Sequence, residues 1–298
     1  KTTANFLGLP AQNGRAKDLP AVIAGFEARY AKHAGIVAAE VVSAQPLDAK
    51  QLAGLGSNQI QALGGDVTVL SATQIKGLGT SQIQALTTDQ VAGLSAAQIK
   101  GLTTAQIAAI ETQDLVKLGT DQLAALSAAQ VKALSTGQVQ SLGTDQVKGL
   151  QGTQIAAFST DQIKALGTGQ IASLETSQIK SLTAAQLGAM STGQIAAFET
   201  QDLQQLSAVQ IKGLDTAQIQ ALTTGQASAL SAAQIKGMST GQIAALETQD
   251  LAKLGTEQLA ALSAAQVKAL STDQVQSLST DQVKGLQAAQ ISALSTDQ

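Results

Sequence analysis

Residue types that commonly carry out chemistry are scarce in this sequence. None of its 298 residues is a cysteine, and His33 is the single histidine. Disulfides and thiolate metal sites are therefore excluded, and one histidine cannot supply a two-histidine metal site. Nucleotide-binding glycine loops and the His-Glu-x-x-His motif are absent as well. We predict that the chain is not an enzyme, that it has no catalytic, cofactor-binding or metal-binding residues, and that His33 lies on a helix surface.

Charged side chains are sparse, and the two signs are interspersed. They make up 13% of the residues, with a net charge of −3 and 2% aromatic residues. A nucleic-acid groove needs a basic face and stacking rings, so this class of partner is excluded. Several aspartates precede a lysine by three residues, a spacing typical of pairs on a helix surface: Asp145–Lys148, Asp161–Lys164 and Asp281–Lys284. We interpret these acids as a solvated surface rather than as acid–base catalysts.

A glutamine recurs every eight residues. From Leu70 to Leu294 the chain repeats Leu-Ser-Thr-x-Gln-Ile-x-Ala without a slip, which gives 29 octads because (294 − 70)/8 + 1 = 29. With positions numbered from the leucine, position five is Gln in 26 octads and position two is Ser, Thr, Gly or Asp in 23. Asp114, Asp202 and Asp250 replace the glutamine. Lysine recurs at position seven and forms a weak basic stripe.

The octad fits neither one long helix nor a half-buried strand. Eight residues advance a helix by about 800°, so successive leucines would circle it. In a strand, positions one and six would face opposite sides. A short helix begun in every octad does fit, because positions two and five form a capping box and apolar positions one and six form a hydrophobic staple. An Asp at position five is compatible with the positive helix start.

Helices this short are unstable alone and must stack on one another. We therefore predict an all-α solenoid or superhelix of short capped helices, with Phe158 and Phe198 as core residues at position one. The alternative is a β-solenoid with a glutamine ladder, which the abundance of Ala, Gln, Lys and Leu disfavours. If the glutamines only cap helices at the surface, Glu should replace them well, whereas in a buried ladder Glu should be as harmful as Ala or worse.

Composition changes near residue 47. All prolines and arginines, with Tyr30 and His33, precede this point. We predict a helical segment over 1–46, an irregular junction over 47–69, and an octapeptide array over 70–298. Within the junction, the step from Leu63 to Leu70 is one residue short of an octad. Residues 70–162 match residues 206–298 at 74 of 93 positions, which indicates block duplication. The chain stops in mid-octad, which indicates a cut through a longer array.

Three stretches of the first segment resemble the bacterial ATP synthase delta subunit, called the oligomycin-sensitivity-conferring protein in mitochondria. They are Asn5–Arg15, Leu19–Phe26 and Ala39–Leu47. The resemblance covers less than a quarter of the chain, from about position 5 to position 55 or slightly beyond. It implies the last helices of that family's N-terminal bundle and the entry into its C-terminal domain. The chain departs from the family because the earlier bundle helices are absent and the array replaces the rest of the C-terminal domain.

The array itself is similar to Leu-x-Thr-x-Gln-Ile/Val-x-x runs in large bacterial surface or secreted proteins. The first function expected is therefore structural: a spacer, scaffold or adhesin-like arm that binds a protein partner or itself. The alternative is a stator-type, delta-like subunit of a rotary ATP synthase. A further alternative is that the chain is an artificial chimera. No run of 18 apolar residues is present, so we predict no membrane span. A small-molecule substrate is not expected, and a bacterial surface or secreted location is favoured over the cytoplasm.

Overall fold

The computed structural model describes residues 47–298. The helical segment predicted for residues 1–46, including His33, lies outside these described residues. The described part contains no strand, so the all-α prediction is confirmed and the β-solenoid alternative is wrong there.

Its helices are as follows: α1 Ala49–Ala53, α2 Ser57–Ala62, the 3₁₀ helix η1 Gly64–Val69, α3 Ala72–Lys76, α4 Thr80–Gln84, α5 Thr88–Gly93, α6 Ala96–Gly101, α7 Thr104–Ala109, α8 Thr112–Leu115, α9 Thr120–Ala124, α10 Ala128–Ala133, α11 Thr136–Ser141, α12 Thr144–Lys148, α13 Gly152–Ala157, α14 Thr160–Ala165, α15 Thr168–Ala172, α16 Thr176–Ser181, α17 Ala184–Ala189, α18 Thr192–Ala196, α19 Thr200–Gln205, α20 Ala208–Lys212, α21 Thr216–Gln220, α22 Thr224–Ser228, α23 Ala232–Gly237, α24 Thr240–Ala245, α25 Thr248–Leu251, α26 Thr256–Ala260, α27 Ala264–Lys268, α28 Thr272–Gln276, α29 Thr280–Lys284 and α30 Ala288–Ile291.

Each complete octad of the array forms one short helix, as the capping box predicts. In α6 the N-cap is Ser95, whose hydroxyl accepts from the Gln98 N–H at 3.2 Å. The Gln98 Oε1 in turn accepts from the Ser95 N–H at 2.7 Å. Leu102 ends the helix in an extended conformation with ψ 146°, so the position-one residue makes the corner between successive helices. Helices therefore cannot grow beyond six residues.

Three octads make one coil of a solenoid. Helix α3 packs against α6, α4 against α7 and α10 against α13, and the same third-neighbour pairing continues along the array. Since α3 begins at residue 72 and α6 at residue 96, one coil advances the residue number by 96 − 72 = 24, which is three octads. Residues at positions one and six fill the interior of the coils, and they include Phe158 and Phe198, as predicted.

The junction between residues 47 and 69 is built like the array. Helix α1 packs on α3, and α2 packs on α4. Helix η1 takes the place of an octad helix beneath α5, and Val67 is its buried residue. Gly64 has φ +52°, a left-handed conformation that favours glycine, at the point where the octad is one residue short. The division of the chain at residues 46 and 69 stays a prediction. Within residues 47–298, no helix has the length and apolar character needed to cross a bilayer.

Small residues at position eight allow successive coils to approach closely. A Cβ placed on Gly237 would lie 2.6 Å from the Cβ of Ala208, which is at position three of the preceding coil. A Cβ on Gly101 would lie 2.9 Å from the Cβ of Ala72. Larger side chains at these glycines would force the two coils apart.

We expect Gly237→Val to lower the free energy of unfolding by about 1–3 kcal/mol, the usual cost of overpacking. Gly241→Val is the matched control, because the nearest atom to a Cβ there is the Ser239 Oγ at 4.0 Å. The control should change stability by less than about 0.5 kcal/mol. Denaturant unfolding followed by circular dichroism measures both, and equal effects would contradict the close-packing interpretation.

Candidate functional site

The position-five glutamine joins two coils through both ends of its amide. The Gln130 Oε1 accepts from the N–H of its own N-cap, Ser127, at 2.8 Å. The Gln130 Nε2 donates to Ile99 O at 2.9 Å and to Leu102 O at 2.8 Å. Helix termini leave such N–H and C=O groups without partners inside the helix. One side chain therefore satisfies the start of α10 and the end of α6 in the preceding coil.

This bridge, which we call a rung, recurs along the described array. Gln162 repeats the pattern with Val131 O and Leu134 O, and Gln194 repeats it with Ile163 O and Leu166 O. Most rung glutamines are buried, with Gln130 and Gln138 only 3% and 2% exposed. The interpretation of the glutamines as surface caps is therefore wrong, although the capping bond itself is confirmed. The expectation that Glu would replace them well is corrected as well, because Glu cannot donate to the carbonyls of the preceding coil.

Three rungs carry Asp in place of Gln, and none forms the capping box. Their helices α8, α19 and α25 begin after Glu, and no side chain caps them. Instead, the Asp114 Oδ1 accepts from the Thr88 hydroxyl of the preceding coil at 2.5 Å. Neither carboxylate oxygen of Asp250 has a hydrogen-bond partner of good geometry, although that side chain is fully buried. All three aspartates lie in the first turn of their helices, as expected, and Asp202 still accepts a backbone hydrogen bond from its N-cap, Glu199. What they lack is the complete capping box, and the Asp114 side chain bonds to the preceding coil instead.

Burial raises the pKa of two of these carboxyls. For Asp202, burial acts first and the charge of Glu199 adds to it. For Asp250, burial outweighs the opposing effect of the nearby Thr224 hydroxyl, and Glu247 raises the pKa further. Ionised Asp at these rungs thus costs stability that Gln does not. Within residues 47–298, no three His, Asp or Glu residues lie close enough together to hold a metal ion.

The ion pair found in the described residues joins successive coils. The Lys148 Nζ lies 2.9 Å from the Glu175 Oε1, and both side chains are more than half exposed. A hydrogen bond to Glu175 and its charge raise the pKa of Lys148. The predicted helix-surface pairs Asp145–Lys148, Asp161–Lys164 and Asp281–Lys284 form no ion pair within 4.0 Å in the described part, although the charge of Asp145 does raise the pKa of Lys148. Lys148 is the last residue of α12, so its side chain reaches the next corner rather than its own helix start.

Shallow clefts lie at the corners where helices end. One, of about 450 Å³, is lined by Lys76, Lys100, Thr103 and Ser127 among others. Another, of about 580 Å³, is lined by Gln220, Glu247 and Ser271 among others. Each cleft is lined by position-seven residues from two successive coils. Each is also lined by the position-two residues that follow these by 27 positions. They can bind a polar group at the surface, and they contain no arrangement of a nucleophile with a base.

These features define an all-helical solenoid of stacked octapeptides. The sequence profile of the ALTTAQ repeat matches residues 64–96, 107–144, 141–176, 168–200, 195–232 and 243–280, about two thirds of the chain. The chain therefore belongs to the ALTTAQ repeat family.

A second similarity covers the first residues. The profile of the ATP synthase delta (OSCP) subunit matches residues 1–79, which confirms the resemblance to that family. ATP synthase subunit delta of Caulobacter sp. (strain K31) is 52% identical over 62 residues, which are 21% of this chain and 34% of that protein. ATP synthase subunit O, mitochondrial, of Drosophila melanogaster is 53% identical over 49 residues, 16% of this chain and 23% of that protein. The chain thus spans at most about a third of these two relatives.

We expect Gln130→Ala to lower the free energy of unfolding by about 1–3 kcal/mol, because it leaves buried backbone groups unsatisfied. Gln130→Glu should cost more at pH 7, since a buried carboxylate would face the carbonyls of Ile99 and Leu102. Gln140→Glu, at an exposed position-seven site, is the control and should be nearly neutral. Denaturant unfolding measures all three, and a Glu variant as stable as the wild type would overturn the rung.

A pH series tests the Asp250 rung. Its pKa is raised on folding, so the unfolded chain ionises first and wild-type stability falls as pH rises from the usual Asp range through the raised pKa. We expect Asp250→Asn to be more stable than the wild type at pH 7, with the difference vanishing below the usual Asp range. The control is Asp273→Asn, which removes the same charge at an exposed site. If the difference in unfolding free energy between Asp250→Asn and the wild type were the same at every pH, the raised pKa of Asp250 would be contradicted.

Proposed function

We propose that the array is a non-enzymatic structural arm that works as a spacer or scaffold. The observation that carries this proposal is the rung, which links the start of one short helix to the end of another one coil earlier in almost every octad. The buried rung glutamines are thereby engaged in holding coils together. A stack whose units contact mainly their neighbours can be lengthened without changing its interior.

The regular outer surface supports the same proposal. Positions three, four and seven face solvent in most octads and carry small or polar side chains. Because the coil repeats after every third octad, residues at one position fall in columns along the solenoid. Such an arm would hold attached groups at a distance set by the number of coils. A location on a bacterial surface stays a prediction.

The second candidate is a stator-type role in a rotary ATP synthase. It is supported by the match of residues 1–79 to the delta (OSCP) subunit profile. The relatives carry the name of ATP synthase subunits, and this chain aligns with a third or less of the length of the two described above. Purification of the tagged chain from its native cells separates the two candidates. Recovery of ATP synthase subunits in stoichiometric amounts would support the stator role, and their absence would refute it.

A length measurement tests the spacer. The chain has no cysteine, so Gln84→Cys and Ala156→Cys provide the only spin-label sites, both at exposed position seven and three coils apart. Inserting a second copy of residues 118–141 after Ser141 adds one coil between them. We expect the distance between labels to grow by about 8–10 Å, the usual spacing of packed helices, with a narrow distribution.

The control is a flexible glycine–serine insertion of the same length at the same point. It should broaden the distance distribution, because it cannot form rungs. If the octad insertion broadens the distribution to the same degree, the array does not act as a rigid spacer.

A further inference from the structure

The corners of the solenoid place a position-seven side chain beside a position-two side chain of the next coil. In the Lys148–Glu175 pair the two residues are 175 − 148 = 27 positions apart, and their charged atoms are 2.9 Å apart. Lys76 and Thr103 are separated by the same interval, as are Lys100 and Ser127, and all four line one cleft. The fold thus provides its own example of a carboxylate held by a corner lysine.

The cleft at Lys76 and Lys100 lacks that carboxylate. Hydroxyl groups stand where Glu175 stands in the occupied corner, and no residue lining the cleft is acidic. Both lysines are exposed, and neither lies within 4.0 Å of a carboxylate in the described residues. They occupy the same position on successive coils, so two like charges face one opening of about 450 Å³. An arrangement of this kind attracts acidic groups from outside the chain.

The duplicated block repeats this arrangement. Lys212 and Lys236 lie 136 residues after Lys76 and Lys100, which is the offset between the duplicated blocks. They are also exposed and also one coil apart. The corner positions at the same interval ahead of them are Ser239 and Ser263, again hydroxyl residues. No other two lysines at position seven fall on successive coils in residues 70–298.

We propose that the two lysine pairs, Lys76 with Lys100 and Lys212 with Lys236, are docking sites for carboxylate side chains of an acidic peptide segment in a partner protein. Coils about 8–10 Å apart match acidic residues three apart in a peptide in the polyproline II conformation. That conformation has three residues per turn and rises about 3.1 Å per residue, so both side chains lie on the same face. This interaction surface does not depend on the spacer role, because it rests on the corner geometry alone.

The test is the binding of fluorescein-labelled decaglutamate to the full chain, followed by fluorescence anisotropy at about 20 mM and 150 mM salt, where screening differs. We expect binding at low salt that weakens at high salt. Replacing Lys76, Lys100, Lys212 and Lys236 together by Gln should weaken binding by about tenfold, as expected for the loss of several surface ion pairs.

The matched control replaces Lys132, Lys164, Lys180 and Lys268 by Gln. It makes the same change in net charge, but none of these four lysines has a position-seven lysine on an adjacent coil. The control should bind the peptide within about twofold of the wild type, since exposed single charges contribute little. Circular dichroism melting of both variants establishes that each is folded.

A second set of variants supplies each lysine pair with a carboxylate from the chain itself. Thr103→Glu with Ser239→Glu places a carboxylate after Lys76 and Lys212 at the same interval at which Glu175 follows Lys148. Glu175 keeps the bond from its N–H to the rung glutamine Gln178, so the helix start tolerates this residue. These variants should weaken decaglutamate binding several-fold. Ser159→Glu with Ser191→Glu, which follow Lys132 and Lys164 by the same interval, should weaken it much less.

Three results would overturn the proposal. They are no binding of decaglutamate at low salt, equal losses in the paired-lysine variant and its matched control, and no difference between the two pairs of Glu variants. Competition supplies the last distinction. If inorganic phosphate displaces the peptide better than glutarate does at equal ionic strength, the lysine pairs are phosphate sites and the acidic-peptide proposal fails.

Discussion

Every level of this structure depends on one amide side chain that bonds in two directions. A helix of five residues has more free backbone groups at its ends than bonds in its middle. The Gln130 amide resolves this at one corner, since its oxygen serves the Ser127 N–H and its nitrogen serves Leu102 O in the preceding coil. A surface cap could make only the first of these bonds. The rung therefore both permits the short helix and fixes which coil lies beside it.

The helices were predictable from local chemistry, and the coil was not. The capping box at positions two and five identifies each helix start, and the corner leucine follows from the staple. The number of octads in a coil depends on the backbone angle at residues such as Leu102 and on the contact between Gly237 and Ala208, which the repeat length does not encode. Pairing between corners of successive coils, as in Lys148 and Glu175, was hidden for the same reason.

One signal for the buried rung was present in the sequence. Position five is never Glu, although Glu would serve a capping box as well as Gln does. In the octads that form the capping box, the need for a side chain that also donates a hydrogen bond explains this restriction. The three Asp octads differ from the others at several positions together. Glu precedes each of their helices, and a long side chain replaces the small residue at position eight: Lys117, Gln205 or Lys253. Their coils therefore meet by a different set of contacts.

The pattern of bonds from each rung to the preceding coil determines how the array would respond to tension. Each coil holds three octads, which span about 80 Å when pulled straight, against about 8–10 Å when stacked. Breaking the rungs of one coil releases that stored length without disturbing distant coils. Under load the array would therefore lengthen in steps and would refold locally when the load is removed. The coils at Asp202 and Asp250, which lack the glutamine bonds, would yield first.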